Sequence, residues 1–310
     1  MITSAKALVI IIEKEIETMS DITLMIPQAV ISGIAIGFIY ALIGIEYTLV
    51  YNVTGLVNYA HDKFISLGAF LFCATFVNRL ELPLIISAVL SIAFLVAFSY
   101  LSSIVLFTPL QKLEPVYAIT GTVMFGNVII EMLRLIYGAL PLFPVLNWLR
   151  GEVHFGNFVI AKSNIAIIIV SIIIVVALQF FLNKTKTGTS LRCIAQNKTA
   201  TALMGINVSK STAITMAISG AVCCVVGLLI VPLYTLSSTM AASIASKAFA
   251  CGVIGGFGYL PGTIIGGIFL GIIEQVSTLF IPAVYKDCIS FVFMMLILVF
   301  KPKGITGKGE

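Results

Sequence analysis

The chain has 310 residues, of which 60% are hydrophobic and only 10% charged, with a formal net charge of +5 and a mean hydropathy of +1.14. A soluble domain runs near ~45–50% apolar and ~25% charged, so a soluble chain of this length would lack the polar residues to cover its surface. Ten prolines and 25 glycines spread through the apolar runs also exclude a coiled coil and a disordered chain, and the composition points to an integral membrane protein.

Lipid cannot hydrogen-bond a bare backbone, so a membrane span is a helix or part of a closed barrel. A barrel strand alternates apolar and polar residues. Runs such as Ile165–Leu182 and Phe291–Phe300 have almost no alternation, which predicts an all-α, polytopic helical bundle.

Residues 1–21 are not expected to be a cleavable signal. The short run Ala7–Ile12 is followed by Glu13, Lys14, Glu15 and Glu17 with no small-residue cleavage pattern, and an interfacial helix is expected there. Glycine, proline and charge then punctuate the transmembrane domain, residues 22–300, into candidate spans 24–50, 56–78, 82–107, 116–137, 164–182, 211–236, 245–258, 262–280 and 284–300. The segment 56–78 carries His61, Asp62 and Lys63, and 245–258 is short, so either is a candidate half-helix or re-entrant piece; eight or nine crossings are expected.

Orientation follows from basic residues. The loop 183–210 holds Lys184, Lys186, Arg192, Lys198 and Lys210 with no acidic residue, and the tail 301–310 adds Lys301, Lys303 and Lys308 against Glu310. By the positive-inside rule both are expected to face the cytoplasm. The segment 138–163, with Pro141, Pro144, Trp148, Arg150 and Glu152, then lies outside. The positive charge is accounted for by topology, and no nucleic-acid partner is expected.

The chemistry present is sparse. There is no G-x-x-x-x-G-K-[ST], so the chain is expected to bind no nucleotide itself, and H-E-x-x-H and G-x-S-x-G are absent as well. The six cysteines form no C-x-x-C and are read as small packing residues; no metal site is expected. Catalytic residues and resident cofactors are therefore not expected.

Charged residues at membrane depth are usually paired or line a cavity. Glu131 and Arg134 are three apart on one helix and are expected to pair locally. Glu274 faces either a polar interior or the end of its span. If spans 24–50 and 56–78 form a hairpin turning at Thr54–Gly55, Glu46 and Lys63 each lie 8.5 positions from the turn, hence at equal depth, and an intramembrane ion pair between them is expected. Asn58, His61 and Asp62 are the candidates for lining a translocation route. Gly255, Gly256, Gly258, Pro261, Gly262, Gly266, Gly267 and Gly271 form a small-residue stretch whose G-x-x-x-G spacings, like Gly33/Gly37, allow close helix packing. Packing within the chain is the plainer expectation, and a subunit interface or gate the sharper one.

Four stretches, in order, resemble the permease subunits of bacterial branched-chain amino-acid ABC importers, specifically the LivH-like member. They are Tyr40–Thr48 running on to Thr54–His61, the loop Arg192–Asn207 with its ending Leu203-Met-Gly-Ile-Asn207, Gly255–Gly262 continuing to Glu274, and Lys286-Asp287 with the ending Lys301–Gly307. The resemblance implies an importer for leucine, isoleucine and valine in the bacterial inner membrane. Its implied partners are a second, related permease subunit, two cytoplasmic ATPase subunits that bind the ATP, and an external solute-binding protein. It implies a coupling helix around Arg192, Ala200, Ala202, Leu203, Gly205 and Ile206. The chain departs from the family in having Asp62-Lys63 where Gly-Glu is usual, in Glu46 at a position that is normally small, and in amides at Gln196-Asn197 where acids are usual. Readings left open are a permease for urea, amides or another small polar solute, an ion-coupled secondary transporter using Asp62 or Glu274, and an assembly factor that transports nothing.

Overall fold

The computed structural model describes the backbone of residues 2–111, 113–143, 151–155, 158–256, 258–301 and 304–305, and within those ranges the side chains from Met25 onward except 154, 155 and 158. Seven of the described helices are long and apolar enough to cross a membrane. They belong to α1 (Ile2–Thr54), α3 (Leu84–Ser102) with its continuation through a π-helical stretch into α4 (Thr108–Leu110), α5 (Pro115–Tyr137), α6 (Lys162–Lys184), α9 (Val208–Ile230), α11 (Leu260–Ser277) and α12 (Lys286–Phe300). Two shorter pieces lie among them: α2 (His61–Phe70), extended by a π-helical stretch Leu71–Val77, and α10 (Ala241–Gly255). The chain is an all-α polytopic membrane protein.

The helix α1 begins at Ile2, so its backbone runs without a break from the first residues into the first span. The side chains of residues 1–24, and with them the expected interfacial position of 1–21, lie outside the described residues, as do Pro144, Trp148, Arg150, Lys303, Lys308 and Glu310. Helices α1 and α9 are central, with 56% and 67% of their apolar windows buried, whereas α6 and α12, at 17% and 6%, present most of their surface outward. Without water, helices associate through close packing of small residues. Gly33 and Gly37 of α1 meet Gly267 and Gly271 of α11: a Cβ on Gly37 would lie 2.7 Å from the Ile268 Cα, and one on Gly267 2.8 Å from the Ala41 nitrogen. Gly262 and Gly266 face α10 in the same way, a Cβ on Gly266 lying 2.5 Å from the Cys251 carbonyl. These G-x-x-x-G pairs therefore pack within the chain.

One face of the bundle gathers the Thr54 end of α1, the loop 183–210 and the chain end. Leu49 and Val53 pack with Leu191 and Ile194 of α7 (Lys186–Gln196), Asn52 Nδ2 donates to the Gly258 carbonyl at 2.9 Å, and the Ile305 amide donates to the Ile254 carbonyl at 2.8 Å. The opposite face carries the segment between α5 and α6, where β1 (Glu152–Phe155) pairs antiparallel with β2 (Phe158–Ala161), and the turn 231–240, which meets Leu142 through a bridge at Leu236. The basic loop and the C-terminal end thus share one face.

Candidate functional site

The chain does not turn straight from α1 into a second span. After Thr54 the residues 55–60 run as irregular backbone, and α2 starts at His61 beside Glu46. Glu46 is eight residues before the end of α1, about 12 Å inside that face at 1.5 Å per residue. Irregular backbone at membrane depth survives only where protein satisfies its polar groups. Here the Leu56 amide donates to Thr54 Oγ1 (3.1 Å), the Tyr59 amide to Thr122 Oγ1 (3.2 Å) and the Ala60 amide to Asn58 Oδ1 (2.9 Å). Asn58 therefore organises the re-entrant turn, and it is buried.

Four side chains converge where α2 begins. Glu46 Oε1 contacts His61 Nδ1, accepts from Ser219 Oγ at 2.6 Å, and lies 2.9 Å from Cys223 Sγ. Glu46 and His61 have no exposed side-chain surface. An Nδ1 in contact with a carboxylate oxygen requires a hydrogen between them. Glu46 Oε2 and His61 Nε2 are buried with no hydrogen-bond partner among the described residues.

Glu46, His61 and Cys223 bring ligand-type atoms within 4.8 Å of one another. A tetrahedral ion at ~2.0–2.3 Å from nitrogen, oxygen and sulfur would hold those atoms ~3–4 Å apart around a shared centre. In the structure one carboxylate oxygen is the hub of three direct contacts, which is the geometry of a hydrogen-bonded cluster.

The expected Glu46–Lys63 ion pair does not form. Because residues 55–60 climb back into the bundle before the helix starts, His61 and not Lys63 arrives opposite Glu46. Two residues further along a helix is a rotation of about 200°, so Lys63 points away from α1 and lies along α5, where a Cβ on Gly126 would meet its Cδ at 3.2 Å. Lys63 Nζ pairs with Asp62 Oδ2 at 2.5 Å, both side chains being mostly buried.

Asp62 and Lys63 border a cavity of about 450 Å³, whose walls also include Tyr47, Val123, Phe249 and Met294. Tyr47 joins the two sites: its ring lies 5.2 Å from His61 and 5.9 Å from Phe249, edge-on to each. Of the three expected route residues Asp62 reaches this cavity, Asn58 borders a smaller one of about 20 Å³, and His61 is buried beside Glu46. Asp62 also lies in the first turn of α2, where the helix dipole favours an anion.

A second buried charge cluster lies in the half of the bundle away from the loop 183–210. Glu274 accepts from Tyr40 at 3.0 Å on both oxygens, from Lys247 at 2.9 Å, from Lys286 at 3.1 Å and from Ser290 at 3.0 Å, while Lys247 also pairs with Asp287 at 2.6 Å. Glu274 thus faces a polar interior. The sequence reading missed Lys247; its one signal is a lone cation in an apolar, small-residue run. Glu131 and Arg134 form their expected local pair at 2.6 Å, exposed on α5.

On the loop face, α7 seats Leu191 and Ile194 inward and leaves Arg192 exposed. The short helix α8 (Lys198–Leu203) is capped by Asn197, whose side chain accepts from the Ala200 amide at 2.9 Å. It ends with Gly205 at φ 85°, the Gly205 amide bonding to the Ala202 carbonyl and the Ile206 amide to that of Thr201. That is a helix stop which favours glycine. Ala200, Ala202 and Gly205 are exposed, Ile206 packs under the helix, and Leu203 and Met204 are 84% and 83% exposed. Gly255, Gly256, Gly258, Pro261 and Gly262 form the turn from α10 into α11 on the same face.

Residues 29–298 match the family model described as "Branched-chain amino acid transport system / permease component". The chain belongs to that family. The permease is 30% identical over 295 residues to the high-affinity branched-chain amino acid transport system permease protein BraD of Pseudomonas aeruginosa, covering 91% of this chain and 96% of the relative. It is likewise 30% identical over 304 residues to the permease protein LivH of the corresponding Escherichia coli system, covering 94% and 99%. A shorter match, 28% identical over 151 residues and 46% of each chain, is to the ribose import permease protein RbsC of Haemophilus influenzae. No solved structure matches the chain.

Proposed function

We propose that this permease forms half of the membrane pathway of an ATP-driven importer for leucine, isoleucine and valine in a bacterial cytoplasmic membrane. A second, related permease subunit completes the pathway, two ATPase subunits bind ATP at the loop face, and an external binding protein delivers the amino acid. The observation that carries the reading is the tip of α8. Two large apolar side chains, Leu203 and Met204, stand almost fully exposed on a capped helix among basic residues. An exposed apolar knob on a charged face is a protein-docking feature. The excess of lysine and arginine supports a cytoplasmic position for that face, where an ATPase acts. Closure of the ATPases pushes α8, and the push travels through α7 to Leu49 and Val53 of α1. The bundle then switches the side on which its interior opens.

The test is uptake of radiolabelled leucine by proteoliposomes holding the four subunits and the binding protein, with ATP and ion gradients varied separately. Uptake should follow ATP and survive an uncoupler; uptake that collapses with the gradient while ATP is constant overturns the reading. Gly205→Pro sharpens it, because proline cannot adopt φ 85° and removes the amide that caps α8. That variant is expected to hydrolyse ATP without transport, read as the ratio of phosphate released to leucine moved.

A further inference from the structure

The cavity beside the start of α2 carries two opposite charges and apolar walls, and the pathway reading gives neither a task. We propose that it is a transient binding site for one α-amino-acid zwitterion, with the ammonium on Asp62, the carboxylate on Lys63 and the aliphatic side chain against Val123, Phe249 and Met294. This deepens the proposed function and rests on it.

Asp62 and Lys63 hold each other at 2.5 Å, so neither stands as an unpaired charge at membrane depth. A zwitterion entering between them replaces one ion pair with two, and the net charge of the site is zero before and after. A solute with only one of the two charges opens the same pair but satisfies only one partner, leaving the other charged and desolvated, which is strongly unfavourable. The pair therefore selects for both charges at the spacing found in an α-amino acid.

The walls supply the remainder. Tyr47, Val123, Phe249 and Met294 line a space of about 450 Å³, within the usual range for a small-molecule site of ~300–1,000 Å³. Methionine adapts to branched side chains of differing shape. The site lies at the start of a helix that begins inside the bundle, about 12 Å from the loop face by the depth of Glu46, where a passing solute has shed most of its water. Glu46, His61, Ser219 and Cys223 act as positioning residues. Their buried cluster pins the first residue of α2, and so sets where the next two side chains project. Charge and apolar contact without enclosure give weak binding, as a pathway that must release its cargo requires.

The test uses the assembled transporter in nanodiscs, with Cys193 and Cys288, the two cysteines that are not buried, replaced by serine, and Ser246→Cys on the cavity wall as a reporter. The readout is the rate of labelling by a small thiol reagent without binding protein. Leucine at millimolar concentration should slow labelling. 4-Methylpentanoate and isopentylamine, which keep the aliphatic chain but carry one charge each, should be weaker by about tenfold or more, the worth of one charged hydrogen-bonded contact. Asp62→Asn with Lys63→Met, which keeps the site neutral, should remove protection by leucine. Equal protection by the three solutes overturns the proposal, as does no protection at tens of millimolar, or protection that persists in the double variant. The solute series needs no change at either charged residue, so a variant that fails to fold does not blunt the test. ATP-driven uptake is read on the same preparation. Uptake without leucine-specific protection removes this site and leaves the importer reading standing, whereas no uptake by the unsubstituted transporter overturns the importer reading.

Discussion

Glu274 and Glu46 are both carboxylates with no exposed surface in a membrane domain, and the bundle treats them in opposite ways. Both oxygens of Glu274 are engaged, by Tyr40, Lys247, Lys286 and Ser290, and the network ties α1, α10, α11 and α12 together. Glu46 receives all its contacts on one oxygen, and its other oxygen and the far nitrogen of His61 have no hydrogen-bond partner among the described residues. A saturated network has one low-energy arrangement and resists motion. A half-saturated cluster one residue from a movable ion pair and a cavity has alternatives. In the proposed reading the Glu274 region is frame and the α2 start is the part of the interior that responds to a solute.

The largest effect should come from Glu274→Gln. The amide keeps the size and one acceptor, but Lys286 loses its carboxylate and Lys247 retains only Asp287. Removing one partner of a buried ion pair costs about 3–5 kcal/mol, so the thermal midpoint of the purified permease in detergent should fall well below that of the unsubstituted protein. A midpoint unchanged from the parent would falsify the frame assignment.

Glu46→Gln is expected to do less. The partner left behind is the single side chain of His61, where Glu274 holds two lysines, and the amide oxygen still accepts from Ser219. The loss should be about 1–3 kcal/mol, the range for a disturbed buried hydrogen bond, read by the same midpoint. If the two variants fall equally, saturation does not distinguish the regions.

Much of the bundle is legible in the sequence, and the reasons are local. The ends of α5 and α6 lie within two residues of the spans read from Pro115, Lys162 and Lys184, because long apolar runs broken by proline and lysine need no tertiary information. The stretch 56–78 is flagged by His61, Asp62 and Lys63 as a candidate half-helix, but the point at which the helix starts is not, since residues 55–60 are held by groups as distant as Thr122. Azimuth is therefore not recovered: Lys63 lies two residues beyond His61, and rotation gives Glu46 to His61. Tyr40, Ser219, Cys223 and Ser290 carry no signal at all. They become polar partners only because helices up to 234 positions apart are packed together. The coupling tip is the converse case, for the Asn197 cap, the Gly205 stop and the basic loop are all written within a few residues.

The smallest effect, and the one that calibrates the others, is Glu131→Ala. Glu131 and Arg134 form a pair three residues apart on α5 at 2.6 Å, shorter than any contact to Glu274, but their side chains are 62% and 41% exposed. Distance alone would rank this among the strongest ion pairs in the chain. Exposure says otherwise, because solvent and headgroup screening offset the attraction and Arg134 keeps Ser238 within 3.4 Å as a second partner. A helical pair of this spacing contributes about 0.2–0.5 kcal/mol, so the midpoint should move by no more than the scatter between preparations. Should it move as far as that of Glu46→Gln, proximity and not burial would be setting the energetics of this domain. The contrast drawn between its two buried carboxylates would then lose its basis.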